Sequence, residues 1–365
     1  MSGSAGMQAV RWWGRGDVRV DEVDQPGEPR AGWVRLRVVA CGICGTDVEE
    51  FTSGPVLIPT SPHPITGRCA PLTLGHEAAG VVDAVGPGVG LDVGTLVAVE
   101  SNLFCGTCWW CRRGRYQLCP DLANLGLMGD GGLAEYMAAP AQMCIPFTNA
   151  VSPEHAAMTE PLSVAVRAVT RAGVGLGSSV VVLGAGTVGL LAVQAARLAG
   201  AERVVVVENV PSRRALALGL ELGADLAVGA VGADGLGAAL EAVRSVSDGR
   251  GADVAIEAAG NAAAAAAAVR LVRRGGRAVL LGVFDDTVPI DMKDLLLGEK
   301  TVTASLSHVY DEDFATAVSL IDRGAVALDP LITDRIGLAD VVDKGFNALV
   351  AEPGSHLKVI VLPGS

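Results

Sequence analysis

Four cysteines lie close together in a glycine-containing stretch of the chain. Their spacing is C-x2-C-x2-C-x7-C, at Cys105, Cys108, Cys111 and Cys119. Four thiolates at these intervals can converge on one tetrahedral ion, and zinc favours such a set. Because the set leaves no open position for water, it predicts a structural zinc that stiffens a loop with little core of its own. An iron–sulfur cluster and four unrelated thiols are the alternatives.

A second group of potential metal ligands is dispersed along the chain. It consists of Cys44 in ACGICGTD, His76 in LGHEAAG and Glu160 in TEPLS. These three ligands would leave the fourth position of zinc open, where a bound alcohol is acidified or a carbonyl is polarised. Asp47 could orient His76, and Thr46 could carry the alcohol proton away. Each residue alone could be a buried or capping residue, so the combination indicates the catalytic site.

A glycine-rich turn follows a short apolar strand. The sequence predicts this strand over Ser179–Leu183 and a helix over 190–198. The turn between them has the pattern G-x-G-x-x-G, with Gly184, Gly186, Thr187, Val188 and Gly189. Its glycines allow a tight turn, close approach of a pyrophosphate and close packing of helix on strand, with the phosphates at the helix N-terminus. The context therefore predicts a dinucleotide-binding unit.

An acidic residue follows the next predicted strand, Arg203–Val207. Glu208 lies about 20 residues after Gly189, where a carboxylate accepts hydrogen bonds from the adenosine ribose. The same charge repels a 2′-phosphate, so the sequence favours NAD over NADP. Arg213 and Arg214 leave NADP open, because arginine can accommodate that phosphate. The alternative for these charges is a solvated surface.

The secondary structure that must position these groups changes along the chain, from mainly strands to alternating strands and helices. With 365 residues, 50% of them hydrophobic, the chain should form two domains, or three, around buried cores. Residues 8–99 contain β-branched runs separated by Gly and Pro, which predict a strand-rich region. From Glu160 onward strands alternate with helices, including an alanine-rich crossover helix at 262–268, which predicts a parallel sheet. A helix near 161–167 should join the halves, and the cleft between them is a natural ligand site.

The last part of the chain should return to the first domain. Two amphipathic helices, at 311–323 and near 338–349, and a closing strand at 357–361 are predicted there.

Charge and hydropathy exclude several classes of partner. The 28 Lys+Arg and 40 Asp+Glu give a net charge of -12, which repels nucleic-acid phosphates and anionic lipids. No apolar run is long enough for a spanning helix, and the first residues do not resemble a secretion signal. We therefore expect a cytoplasmic protein with no nucleic-acid or membrane partner. In a reducing compartment its 8 cysteines should be metal ligands or buried thiols.

The chain resembles the zinc-dependent medium-chain alcohol dehydrogenases over residues 7–363. The motifs ACGICGTD, LGHEAAG, DGGLAEY, TEPLSVA and VLGAGTVG, together with the four-cysteine lobe, follow the order and separations of that family. The segment GPVLIPTSPHPITGRCAPLTLGHE is most similar to the butanediol dehydrogenase branch, with sorbitol and threonine dehydrogenases as near relatives.

The resemblance implies an α/β architecture and an assembled enzyme. Its parts would be a GroES-like β-rich catalytic domain with the zinc lobe (1–166), a Rossmann NAD-binding domain with a doubly wound parallel sheet (167–308), and a C-terminal segment (309–365) that returns to the catalytic domain. A homodimer or homotetramer is implied, with one catalytic and one structural zinc per chain.

The resemblance also assigns site residues. It implies Cys44, His76 and Glu160 as catalytic zinc ligands, Glu77 as a carboxylate that can approach or exchange onto the metal, and Thr46 as the start of a proton relay. The positions implied to bind the cofactor are Leu183, Gly184, Gly186, Gly189, Glu208, Arg213 and Val283, with backbone contacts from Leu183 and Val283.

Two positions depart from the family pattern. Glu49 stands where this branch usually carries the histidine that leads the relay to solvent. A carboxyl group, with an ordinary pKa of about 4, is a weaker base than imidazole at pH 7. His308 stands near positions where small residues and a tyrosine are usual, so it either alters the nicotinamide or substrate pocket or is a surface-loop residue.

The function predicted is hydride transfer between a secondary alcohol and NAD by a zinc-dependent oxidoreductase. The substrate would be a small diol, polyol or hydroxyketone. Glu49 and His308 motivate one alternative, a zinc-dependent NAD(P)H reductase of a C=N or other double bond in a specialised biosynthetic pathway. A non-catalytic dinucleotide-binding protein is the other alternative.

Overall fold

The chain divides into two units in a computed structural model that describes residues 6–221, 223–229, 235–283 and 287–364. One unit comprises Met1–Glu160 with Val309–Ser365, and the other comprises Pro161–His308. The first boundary falls inside a helix, so residues 161–166, expected with the catalytic domain, group with the second unit. The second boundary follows residue 308. Residues 1–5 of the expected first domain lie outside the described residues.

The first unit begins as a strand-rich region. Its early strands are β1 (Gly6–Gly14), β2 (Asp17–Asp24), β3 (Trp33–Ile43), β4 (Leu72–Thr73), β5 (Glu77–Val85), β6 (Leu96–Val99), β7 (Asn102–Leu103), β8 (Ala123–Asn124), β9 (Tyr136–Pro140) and β10 (Cys144–Pro146). The β-branched runs lie in β3, β5 and β6, which confirms the prediction of strands there. The α-helices of this part are α1 (Gly45–Ser53) and α2 (Pro153–Ala157), and its 3-10 turns are Cys111–Arg113, Tyr116–Leu118 and Ala141–Met143.

The second unit is a parallel sheet with crossover helices. Its helices are α3 (Thr159–Ala172), which begins two residues before the boundary, α4 (Thr187–Leu198), α5 (Pro211–Gly219), α6 (Gly235–Ser245), α7 (Ala262–Leu271) and α8 (Met292–Leu297). Its strands are β11 (Ser179–Leu183), β12 (Arg203–Val207), β13 (Leu226–Val228), β14 (Ala252–Glu257), β15 (Val272–Leu280) and β16 (Thr301–Ala304). The strand order is β13-β12-β11-β14-β15-β16, which is the doubly wound order of dinucleotide-binding folds. The predicted parallel sheet and alanine-rich crossover helix are confirmed.

The end of the chain completes the larger sheet of the first unit. Its elements are α9 (Ala315–Asp322), β17 (Ile332–Ile336), α10 (Ala348–Ala351), β18 (Lys358–Val361), 3-10 turns at Asp329–Leu331 and Leu338–Asp340, and π-helical turns at Tyr310–Phe314 and Val341–Asn347. Strand β18 pairs antiparallel with β3, with Ile360 opposite Gly42. The end of the chain therefore pairs into the sheet of the first unit and groups with it. Both predicted helices contain π-helical turns, which a 3.6-residue pattern does not distinguish from α-helix.

Each unit has its own apolar core. In the first, Trp12, Leu36 and Phe346 lie with the inward side chains of β3 and β5. In the second, Val181 and Ala255 lie beneath α7 and its neighbours. None of the helices in the described ranges is long and apolar enough to cross a membrane.

Candidate functional site

The four cysteines of the lobe converge on one point. Their sulfur atoms all lie within 4.8 Å of one another, and Cys105 Sγ and Cys111 Sγ are 3.9 Å apart. Sulfurs bound to a tetrahedral zinc at about 2.3 Å would be about 3.8 Å apart. The set therefore fits a single zinc ion. Thiols this close leave no room for the inorganic sulfides of an iron–sulfur cluster, so that alternative is wrong.

Backbone N–H groups donate hydrogen bonds to two of the cysteine sulfurs in this lobe. The N–H of Cys108 donates to Cys105 Sγ over 3.3 Å, and that of Cys111 donates to Cys108 Sγ over 3.4 Å. Hydrogen bonds from the backbone of Thr107 and Cys108 lower the pKa of Cys105 to about 6. Burial instead raises the pKa of Cys111 to about 12. At least one ligand is thus a thiolate near neutral pH, as zinc binding requires.

The second group brings together Cys44, His76 and Glu77. One potential ligand atom of each lies within 4.8 Å of the others. Cys44 stands at the N-terminus of α1, His76 precedes β5 and Glu77 begins it. Glu160 lies in the first turn of α3, buried but outside this group of three. Burial raises the pKa of Glu77 and the charge of Glu160 adds to that rise, so Glu160 lies within electrostatic reach.

Asp47 connects the first two members of this group. Its side chain is fully buried. Oδ2 accepts the N–H of Cys44 over 2.9 Å, and Oδ1 lies 3.5 Å from His76 Nδ1. The Cys44 thiol donates to the Thr46 hydroxyl over 3.8 Å. One carboxylate therefore holds the thiol-bearing turn by a hydrogen bond and lies close to the imidazole.

The electrostatics of the group favour a cation. Burial by itself would lower the pKa of His76, but Asp47 and Cys44 raise it well above the ordinary value. A buried imidazole surrounded by anionic groups, with sulfur, nitrogen and oxygen donors in reach of one point, fits zinc.

The sequence reasoning missed Lys358. This side chain is 3% exposed, and its Nζ lies 2.6 Å from both Oε1 and Oε2 of Glu77 and 3.1 Å from the Ile43 carbonyl oxygen. A Cβ at position 42 would lie 1.9 Å from Glu77 Oε2, so Gly42 makes room for the carboxylate. The pairing of β18 with β3 brings the lysine here. The only sequence signal was one lysine in the otherwise apolar closing strand.

The glycine-rich turn has the geometry that its motif predicts. Gly184 has φ +95°, a conformation that favours glycine. A Cβ on Gly189 would lie 2.0 Å from the Gly184 carbonyl oxygen, so close packing of helix on strand requires glycine there. Gly186 is the N-cap of α4, and Thr187 and Val188 are the first residues of the helix. Free N–H groups at this helix N-terminus suit a pyrophosphate.

Glu208 is tied to the same turn. Its Oε2 accepts the N–H of Ala185 over 2.7 Å, and its Oε1 accepts that of Val210 over 2.8 Å. Because each carboxylate oxygen can accept more than one hydrogen bond, ribose hydroxyls can still be bound. The Arg214 guanidinium donates to the carbonyl oxygens of Glu208 and Asn209 over 2.6 and 2.8 Å. Arg213 lies in the first turn of α5.

Four further predicted positions lie on different elements. Leu183 is the buried last residue of β11, and Val283 is 67% exposed after β15. Glu49 is half-buried on α1, three residues after Thr46 and so on the same side of the helix. His308 is fully buried, so its interpretation as a surface-loop residue is wrong.

The fold and these groups define a class: an oxidoreductase with a dinucleotide-binding unit and two groups of side chains suited to zinc. Residues 30–149 match the alcohol dehydrogenase GroES-like domain, and residues 187–323 match the zinc-binding dehydrogenase domain. The chain belongs to the zinc-binding, GroES-like alcohol dehydrogenase family.

Individual relatives span nearly the whole chain. The (R,R)-butanediol dehydrogenase of Bacillus subtilis (strain 168) is 33% identical over 98% of this chain and 100% of its own length. The crystal structure of 2R,3R-butanediol dehydrogenase from Bacillus subtilis matches with a TM-score of 0.88 over 98% of this chain and 99% of that one. The L-threonine 3-dehydrogenase of Pyrococcus abyssi (strain GE5 / Orsay) is 35% identical over 93% of this chain and 94% of its own length. A Sinorhizobium meliloti 1021 protein classed as a zinc-binding dehydrogenase, crystallised with NADP, is 33% identical with a TM-score of 0.85, covering 99% and 100% of the two chains.

These relationships settle the general activity. The chain is a zinc-dependent enzyme that oxidises or forms alcohols with a nicotinamide dinucleotide, and its fold combines GroES-like and Rossmann units. The relatives give no support to the double-bond reductase or to the non-catalytic binding protein.

Proposed function

We propose that this enzyme interconverts small vicinal diols or polyols and the corresponding hydroxyketones, with NAD as the hydride acceptor. The observation that carries the proposal is the convergence of the half-buried Cys44 with the buried His76 and Glu77. Butanediol and threonine, named in two relatives, each have a secondary hydroxyl beside a carbon with a second polar substituent. This shared feature supports the substrate class.

The proposal assigns the metal ligands. Cys44, His76 and Glu160 would hold the catalytic zinc, with Glu77 as a further carboxylate that can approach it, and the four-cysteine lobe would hold the structural zinc. When bound, an open zinc supplies Lewis-acid activation of the substrate oxygen. Asp47 holds the Cys44 turn by a hydrogen bond, and its other carboxylate oxygen would orient the His76 ring from 3.5 Å.

The proton would leave along α1. The Thr46 hydroxyl lies beside the Cys44 thiol, and Glu49 follows on the same side of the helix. In the proposed relay, Thr46 takes the proton of the substrate hydroxyl and Glu49 receives it on the way to solvent.

The same proposal favours NAD over NADP. Backbone N–H groups of Ala185 and Val210 hold the Glu208 carboxylate beside the glycine-rich turn. A fixed negative charge there repels a 2′-phosphate, whereas the Arg214 guanidinium is directed to main-chain carbonyls.

A steady-state assay with a panel of vicinal diols, polyols and simple alcohols tests this function. NAD and NADP should be compared in parallel, and zinc measured on the same sample. We expect higher kcat/KM with vicinal diols, a preference for NAD and two zinc ions per chain. Turnover of simple alcohols alone would refute the substrate class, and one zinc per chain would refute the metal assignment.

Assembly and location complete the proposal. We infer a homodimer or homotetramer, as the family resemblance implies, which light scattering of the purified protein tests. Thiolate ligands must stay reduced to hold zinc, which supports a cytoplasmic location. Fractionation that recovered the protein outside the cytoplasm would refute it.

A further inference from the structure

Glu257 is a buried carboxylate at the carboxyl end of β14. The side chain is fully buried. Its Oε1 accepts the backbone N–H groups of Ala259 and Gly260 over 2.9 and 2.7 Å, and its Oε2 accepts that of Gly282 over 3.2 Å. Among the described residues, no lysine or arginine forms an ion pair with it. Three backbone donors therefore satisfy a charge that is costly to bury.

These donors belong to two neighbouring turns. Ala259 and Gly260 follow β14, whereas Gly282 follows β15. A Cβ on Gly282 would lie 2.3 Å from Gly260 Cα and 2.8 Å from Glu257 Oε2. The two turns thus pack backbone against backbone, and the carboxylate joins them.

The glycine-rich turn after β11 packs on the same assembly. A Cβ on Gly184 would lie 2.8 Å from the backbone nitrogen of Ala259. The N–H of Ala258 also donates to the Leu183 carbonyl oxygen over 2.8 Å. The carboxylate therefore joins the turns after β14 and β15, and the turn after β11 packs against the first of these, so turns at the carboxyl ends of three adjacent parallel strands are held together. Dinucleotides bind at this edge of doubly wound sheets.

We propose that Glu257 is a positioning residue for the nicotinamide dinucleotide. By fixing turns 258–260 and 281–283 against the glycine-rich turn, it sets the main-chain surface on which the cofactor lies. The inference rests on the proposed function, because it requires a dinucleotide at this edge. A merely structural carboxylate would stabilise the unit without changing cofactor affinity, so binding and stability must be measured separately.

The test variant is Glu257→Gln, which keeps the shape of the side chain but loses its charge and one acceptor oxygen. NADH binding is measured by fluorescence titration, without turnover. We expect the Kd for NADH and the KM for NAD to rise about tenfold or more, because cofactor binding must then also reorder turns that a charged hydrogen bond held in place. The KM for the alcohol and the zinc content should stay unchanged.

Asp253→Asn is the matched control. Asp253 lies at the amino end of the same strand, where it accepts hydrogen bonds from Ser179 N and Oγ over 2.8 and 2.7 Å and from Arg273 Nε over 2.6 Å. Its replacement should lower the melting temperature and leave the NADH Kd unchanged. An equal rise in Kd for both variants would show that general destabilisation is the cause, and would overturn the proposal.

A second variant covers the case in which Glu257→Gln does not fold. Gly282→Ala keeps the carboxylate but forces apart the two turns that it joins, and should weaken NADH binding in the same way. Wild-type affinity in either folded variant would overturn the positioning role. If the wild-type protein itself fails to bind NADH, the proposed function fails instead.

Discussion

At the scale of single residues, Lys358 and Glu77 form a buried ion pair beside the predicted catalytic ligands. Both side chains are almost fully buried. Replacing the lysine leaves a buried carboxylate without its partner, which typically costs about 3–5 kcal/mol. We therefore expect Lys358→Met to lower the free energy of unfolding by about that amount, measured by urea denaturation of metal-free protein.

A double-mutant cycle isolates the pair. Glu77→Gln alone should also destabilise the protein, because it leaves a buried ammonium group. The double variant Glu77→Gln with Lys358→Met should be less destabilised than the sum of the two single changes, since it removes both charges. Simple additivity would show that the two groups do not stabilise each other.

Glu49 offers a test of the proton relay. If it receives a proton during alcohol oxidation, Glu49→Gln should lower kcat at pH 7 by about 100-fold. Glu49→His should retain activity but move the acidic limb of the kcat profile to higher pH. The ordinary pKa of imidazole is about 6.5, against about 4.3 for a glutamate carboxyl group, and a base must be deprotonated to act. Identical pH profiles for the wild type and both variants would place the relay elsewhere.

At the scale of elements, the four-cysteine lobe lacks regular structure of its own. Between Cys105 and Cys119 it contains only 3-10 turns, so metal coordination should account for much of its order. We expect Cys108→Ser to bind one zinc fewer and to be cleaved by protease within this segment. Cys69→Ser is the control, because Cys69 lies outside both metal groups. Equal protease resistance in the two variants would contradict a stabilising metal.

The sequence predicted elements best where the signal is local. The β11 strand, the glycine-rich turn and the β12 strand follow one another within 30 residues, and the structure confirms both strand ranges. Lys358 and Glu257 were missed for a physical reason. Their partners are set by strand pairing and by turn packing between segments distant in sequence, and no spacing rule encodes such contacts. Glu160 as a catalytic ligand remains a prediction.

At the scale of the whole molecule, the two units offer different groups for binding: side chains in the first unit and main-chain groups in the second. Side-chain ligands gather in the first unit because β5 and α1 bring together residues that are more than 30 positions apart. Main-chain groups dominate in the second, where turns follow adjacent parallel strands. A ligand stabilises the folded state to which it binds. Zinc should therefore stabilise segments of the first unit, and the dinucleotide should stabilise segments of the second.

Hydrogen exchange read by mass spectrometry tests this division across the chain. NADH should slow exchange at the turns after β11, β14 and β15, which lie at the carboxyl ends of the strands, where dinucleotides bind in doubly wound sheets. Removal of zinc by a chelator should speed exchange in residues 42–47 and 105–119, whose order depends on the metal ligands. The chelated protein should still show protection by NADH at 184–189, because that turn is built from backbone contacts within the second unit. If chelation abolished that protection, cofactor binding would depend on the metal, and the separation of the two chemistries would be wrong.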